Sequence, residues 1–144
     1  MSNLDIHQAS ALYINLKLQI TWLHKVYKRN ICGGSIYSEN VIITAAHCCD
    51  AIFSKWDEND FVIVAGEYSL SEESGKEQTS KVKAHRIHPE YDSKQIKNDI
   101  CLLYLEIPFD LSGGNVTSVE LATEDPEIET ICDISGWGTL DVSY

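Results

Sequence analysis

Apolar and polar positions alternate most regularly between Leu12 and Thr21. Ile14, Leu16, Leu18 and Ile20 take one side, and Asn15, Lys17, Gln19 and Thr21 the other. A strict period of two predicts a half-buried β-strand. A basic stretch over 25–29 predicts a hairpin loop, and a short strand follows around Ser35-Ile36-Tyr37. Ser38-Glu39-Asn40 predicts a turn, and the β-branched run Val41-Ile42-Ile43-Thr44 a further strand. A single helical turn is expected over 46–49 and a surface loop over 53–60. Phe61-Val62-Ile63-Val64-Ala65 reads as a strand ended by Gly66-Glu67, and 69–76 as a polar, acidic loop. The weak alternation over 80–87 predicts another strand. It stops at His88-Pro89, because proline cannot continue a ladder. Asn98 to Leu105, nearly all apolar after Asp99, predicts a strand buried on both faces. Residues 107–129 carry the Pro108, Gly113 and Gly114 of a linker and then acidic loop, and 130–137 predicts a last strand. Residues 1–11 are patternless and read as a flexible leader. Short strands at this spacing define an all-β class, sandwich or barrel.

Composition narrows the partners. Apolar residues are 44% of the 144, enough for a packed core. No apolar run approaches the ~18 residues of a transmembrane helix. The net charge of −11, with no Lys or Arg after Lys97, argues against nucleic acid and anionic membranes. Five cysteines in a chain this short suggest an oxidising compartment, and their odd count leaves at least one without an intramolecular partner. Met1-Ser2-Asn3-Leu4-Asp5-Ile6-His7 has neither the basic nor the apolar region of a signal peptide. Either the thiols are reduced inside the cell, or this is not the natural start of a secreted product.

Two positions carry candidate chemistry. His47 stands at the end of the apolar run Ile43-Thr44-Ala45-Ala46, with Cys32-Gly33-Gly34-Ser35 upstream and Cys48-Cys49 after it. Such a histidine is a packed core residue or a rigidly held base. Cys32 and Cys48 could pin two strands by a disulfide. Alternatively, Cys32, His47, Cys48 and Cys49 could hold zinc, although adjacent cysteines rarely both reach one tetrahedral ion. Asp99 heads an otherwise apolar run. It is either an exposed turn residue or a buried carboxylate, which would need a partner such as an imidazole.

Taken in order, Cys32-Gly-Gly-Ser, Thr44-Ala-Ala-His47-Cys48, Asn98-Asp99-Ile100-Cys-Leu-Leu and Gly136-Trp137-Gly138 resemble the trypsin-like serine proteases. His88-Pro-Glu-Tyr-Asp resembles the family's approach to its aspartate, and Leu12-Tyr-Ile-Asn-Leu-Lys its first strand. The stretch from Gly66-Glu67 to Glu77-Gln78 is similar to digestive trypsins, arthropod ones in particular. The resemblance implies a chymotrypsin-like fold of two antiparallel β-barrels. Residues 12–106 would form the first barrel, 107–129 an inter-barrel linker and 130–144 the start of the second. It implies His47 as general base, Asp99 as the carboxylate that orients it, and a Cys32–Cys48 disulfide. The substrate would be protein or peptide, the localisation extracellular, and no cofactor would be needed.

The resemblance also defines what these residues lack. The family's nucleophile lies in a Gly-Asp-Ser-Gly-Gly motif beyond Gly-Trp-Gly, and Tyr144 comes first. Ser35 and Ser135 sit in structural motifs and Ser143 is one residue from the end. The oxyanion-hole amides, the specificity pocket and the partner of Cys132 belong to that later region. Met1 to Ala11 holds nothing like the family's Ile-Val-Gly-Gly N-terminus. The expectation is a serine endopeptidase fragment, inactive as it stands, with Cys132 left unpaired. The alternative is a non-catalytic homologue acting as a binding or regulatory module. Glu67 and Glu77 match two carboxylates of a calcium loop found in many trypsins, but Ser69 and Ser74 at other positions of that loop weaken its charge. Asn115-Val116-Thr117 is a glycosylation sequon, usable if the chain is secreted. Cys49 and Cys101 have no evident partners, and Cys101 is expected to pack as a small hydrophobe. Trp22, Trp56 and Trp137 are expected to pack rather than bind.

Overall fold

Strand pairing organises the chain from residue 20 onward. The computed structural model describes residues 20–25, 29–55, 57–125, 127–131 and 136–137. In chain order the elements are β1 (Ile20–His24), β2 (Arg29–Ser38), β3 (Val41–Thr44), α1 (Ala46–Lys55), a 3-10 turn (Glu58–Asp60), β4 (Phe61–Ala65), β5 (Gln78–Ser80), β6 (Val82–Ile87) and β7 (Cys101–Leu105). All pairings are antiparallel, in the order β5-β4-β1-β2-β3-β7-β6.

That order closes on itself. β5 and β6 lie at opposite ends of the sheet, yet Lys81 alone separates them in sequence. A flat sheet would hold its outer strands roughly 29 Å apart, six spacings of ~4.8 Å. A one-residue link spans only ~7 Å. The sheet must therefore curl, as in a barrel half of the expected kind. β2 passes through both halves of the curl. Its residues up to Gly34 pair with β1, and those from Ser35 onward pair with β3. At the crossing, a Cβ on Gly34 would meet the Ile43 carbonyl oxygen at 2.7 Å, so no larger residue fits without a shift of the backbone.

The core fills the inside of the curl. Ile20 and Trp22, Ile36, Ile42, Ile63 and Ala65, and Cys101, Leu103 and Leu105 meet there, with Ala46, Cys48, Cys49 and Ile52 of α1. Trp22 lies 5.6 Å from Phe53 and 6.5 Å from Phe61, ring centre to ring centre. On the opposite face Ile43, Ile100 and Leu102 pack with Tyr37, Tyr104 and Leu121. β3 and β7 are thus covered on both sides, which is why their sequences run apolar without alternating.

Several expectations change. The single turn at 46–49 is a helix of 10 residues, because Cys49, Ile52 and Phe53 continue one apolar face past the expected stop. Residues 53–55 accordingly belong to helix rather than loop. The strand expected over 80–87 breaks at Lys81, the joint that lets the sheet turn. β2 is longer than the short strand read around Ser35, since its first half alternates in exposure along a sheet with one wet face. Residues 98–100 precede β7 and are not strand. The strand over 12–21 is described only from Ile20, and of that over 130–137 residues 132–135 lie outside the described residues. Thr130, Ile131, Gly136 and Trp137 are not strand. Trp56 also lies outside.

The segment from 107 straps the outside of the barrel. Phe109 and Val116 are 3% and 1% exposed and enter the core. Phe109 N–H donates to Glu39 O at 2.7 Å, and Val119 N–H to Ile36 O at 2.8 Å. Among the described residues no helix is long and apolar enough to cross a membrane.

Candidate active site

β3 delivers His47. The strand ends at Thr44, whose hydroxyl donates to the Gly33 carbonyl at 2.7 Å and ties it to β2. The chain then turns into α1, and His47 is its second residue. The first amides of a helix have no partner within it. Here a carboxylate from far along the chain supplies one. His47 N–H donates to Asp99 Oδ1 at 2.7 Å, and His47 Nδ1 lies 2.7 Å from Asp99 Oδ2. One side chain thus satisfies the helix start and orients the ring.

A short hairpin sets Asp99 in place. Asp92 and Lys97 exchange both backbone hydrogen bonds, and Asp92 Oδ1 accepts the amides of Lys94 and Gln95. Ile96 and Asn98 turn the chain with φ of 51° and 52°, a region that non-glycine residues rarely occupy. Asn98 Nδ2 donates to Glu90 O at 2.9 Å and holds the turn. Ile100 N–H then bonds Asn98 O, and His88 N–H bonds Ile100 O. Between these anchors Asp99 points back toward α1.

The electrostatics follow from burial and bonding. The Asp99 side chain is 19% exposed, so the even choice between exposed turn and covered carboxylate resolves to the latter. Desolvation, the largest single influence, pushes its carboxyl up. The hydrogen bonds from the His47 ring and amide, the ring's charge and the Ala46 amide together outweigh it, and the group sits below the ordinary carboxylate range. The His47 side chain is 54% exposed. With Nδ1–H given to the carboxylate, the neutral ring keeps its lone pair on Nε2. Nε2 lies 3.4 Å from Cys48 Sγ, a weak acceptor at most. Tyr91, from the His88-Pro-Glu-Tyr-Asp approach, is half-buried against the core and feels the Asp99 charge. Desolvation and then the Asp99, Asp50 and Asp92 carboxylates push its phenol up.

Two disulfides hold the helix. Cys32–Cys48 joins β2 to α1, with Cα atoms 6.3 Å apart. Cys49–Cys101 joins α1 to β7, with Cα atoms 6.6 Å apart. The second corrects the expectation that Cys49 has no evident partner and that Cys101 is a free core thiol. Its ends are 52 residues apart, and only the folding of β7 against β3 brings them together. The zinc alternative also falls. Ligand atoms of Cys32, His47 and Cys48 do lie within 4.8 Å of one another, but all three candidate sulfurs are bonded in disulfides and offer no thiolate. Two disulfides take four of the five cysteines, which leaves Cys132 by count, and that residue lies outside the described ones.

The acidic loop is closed by its own amides. Glu67 Oε1 accepts Ser69 N–H at 3.1 Å and Glu77 Oε1 accepts Ser74 N–H at 2.6 Å. The Ser74 hydroxyl and amide hold the Glu77 carboxyl down at about 2. A calcium ion wants six to eight oxygens, and these carboxylates already serve the loop's N–H groups. Asn115 is exposed, next to buried Val116, and Thr117 is exposed.

Comparison with known proteins agrees with this arrangement. Residues 15–143 match the sequence profile described as Trypsin. Hypodermin-B of Hypoderma lineatum is 36% identical over 115 residues, covering 80% of this chain and 42% of that protein. Trypsin zeta of Drosophila melanogaster is 34% identical over 112 residues, 77% of this chain and 38% of its own length. Kallikrein-14 of Homo sapiens is 32% identical over 113 residues, 78% and 39%. The chain spans about two-fifths of the length of these relatives.

Proposed function

Since the chain belongs to the trypsin family of serine proteases, we propose that it carries the base-and-carboxylate arm of a secreted serine endopeptidase acting on protein or peptide substrates. The observation that supports this reading most is the double hydrogen bond of Asp99 to His47, through the ring and through the backbone. A packed core histidine needs no such partner. A base that must take a proton at Nε2 and return it to a leaving amine needs a fixed tautomer and a nearby negative charge for its imidazolium. Asp99 supplies both. In the family, the nucleophile, the oxyanion-hole donors and the specificity pocket go with a Gly-Asp-Ser-Gly-Gly segment. The sequence contains no Gly-Asp-Ser-Gly segment.

The purified chain is therefore expected to show no amidolysis or ester hydrolysis with small chromogenic substrates. Turnover that survives inhibitor controls for contaminants would overturn the view that the nucleophile lies elsewhere. Sequencing the transcript beyond the codon for Tyr144 separates the two readings. Continuation into Gly-Asp-Ser-Gly-Gly, with activity lost on His47→Ala in the longer product, is the expected result. A stop codon, with the short chain stably secreted, would favour a non-catalytic binding or regulatory module.

A further inference from the structure

Cys49 and Cys101 sit in matched positions. Cys49 follows His47 by two residues, and Cys101 follows Asp99 by two. Their disulfide and the His47–Asp99 hydrogen bonds therefore close a small ring: His47, Cys48, Cys49, across the disulfide to Cys101, Ile100, Asp99, and back to His47. We propose that Cys49 and Cys101 are positioning residues, whose disulfide locks the rotation of α1 against β7 and so holds the His47 imidazole on the Asp99 carboxylate. The proposal rests on the reading of His47 and Asp99 as base and orienting carboxylate.

Geometry shows why one disulfide is not enough. α1 has 10 residues, below the length at which a helix holds itself in water. Cys32–Cys48 fixes one point near its start, and a helix fixed at one point can still roll about its axis. A ring atom ~6 Å from that axis moves ~2 Å for a roll of ~20°. A contact of 2.7 Å, such as Nδ1 to Oδ2, does not survive that displacement. Adjacent helix residues point about 100° apart. Cys48 is tied to β2 and Cys49 to β7, so the helix is gripped in two directions at its first turn. Cys49 and Cys101 are both 0% exposed, which keeps the bond away from reductant and suits a permanent clamp. Farther along, Phe53 stacks on His85 of β6 at 3.9 Å between ring centres and holds the other end.

The test is hydrogen exchange by NMR on the full chain, read at the two protons that Asp99 accepts, the His47 ring Nδ1–H and the His47 amide. Cys49→Ala/Cys101→Ala removes the bond. Cys49→Ala/Cys101→Val removes it while refilling part of the space. Ile63→Val, buried in β4, is a destabilised control with the clamp intact. Both disulfide variants are expected to exchange these two protons at least about tenfold faster, while the β1–β4 ladder amides keep their rates. Ile63→Val should leave both His47 protons unchanged. If the disulfide variants keep wild-type exchange at His47, the clamp is overturned and the base-and-carboxylate reading stands. Loss of protection over the whole sheet, or failure of both variants to fold, would make the bond a general staple and overturn its local role. If the wild-type chain shows neither proton protected, the reading of His47 and Asp99 itself fails, and the clamp with it.

Discussion

At the residue scale two neighbours, Gly33 and Gly34, separate a requirement from a coincidence. A Cβ on Gly33 comes no closer than 3.6 Å to its surroundings, an ordinary contact. On Gly34 it would meet backbone oxygen at 2.7 Å and two isoleucine side chains at 3.1 and 3.2 Å. Gly34→Ala is expected to cost about 2–3 kcal/mol by overpacking and Gly33→Ala well under 1 kcal/mol, measured by denaturant unfolding. Equal costs would show that the β2–β3 crossing is looser than described. Asp99 gives a pH signature. Its carboxyl is depressed below 3.8 in the folded chain, so the stabilisation it provides is complete above the unfolded value and is lost as pH falls through the folded one. The melting temperature of Asp99→Asn should lie below that of the wild type at about pH 6, and the gap should begin to narrow only below about pH 4, closing as pH falls through the folded value. His47 and Asp99 were legible as residues because their motifs are local. The resemblance also implied that Asp99 orients the ring; its second hydrogen bond, to the His47 backbone amide, was not legible, since 52 residues separate the two groups.

At the element scale the strands over 41–44 and 61–65 could be read from β-branched runs, and both are found at those bounds. The helix runs past the expected turn at 46–49, because Ile52 and Phe53 show their apolar face only once they are packed against the core. The joint at Lys81 left no mark in the pattern either, as the alternation continues across it. The acidic loop illustrates how an element can be closed by charge and amides alone. Glu77, held down at about 2 by Ser74, should titrate well below the 4.5 of a free glutamate, and NMR-detected titration of its side chain would show this. Because its folded value is depressed, its contribution to loop order is present at neutral pH and fades only as pH falls through that value. Ser74→Ala should move the midpoint back toward 4.5.

At the scale of the whole molecule, the curled sheet, the outer strap and the two disulfides form one frame around α1. By the chain-entropy model the Cys49–Cys101 loop contributes about 4 kcal/mol and the Cys32–Cys48 loop about 3 kcal/mol, so the longer loop is the larger staple. Two buried or half-buried disulfides suit an oxidising compartment. If the protein passes through a secretory pathway, exposed Asn115 is expected to carry glycan, with Val116 anchoring the sequon against the core. A gel shift on glycosidase treatment, lost in Asn115→Gln, would check it. No shift from eukaryotic secretory expression would leave the sequon unused.

What the sequence determined by itself was local: the alternation of strands, the all-β class, the family resemblance, and the identity of the base and its carboxylate. Those signals lie in runs of a few residues, where side-chain period and motif spacing act directly. Tertiary structure alone decided which distant groups meet. It gave Cys49 its partner in Cys101, joined the sheet ends at Lys81, and made the carboxylate that the resemblance assigns to the ring a helix cap as well. The physical reason is common to all three. Each joins groups that only chain reversal and strand pairing bring within bonding distance, and no pattern along the chain encodes that distance.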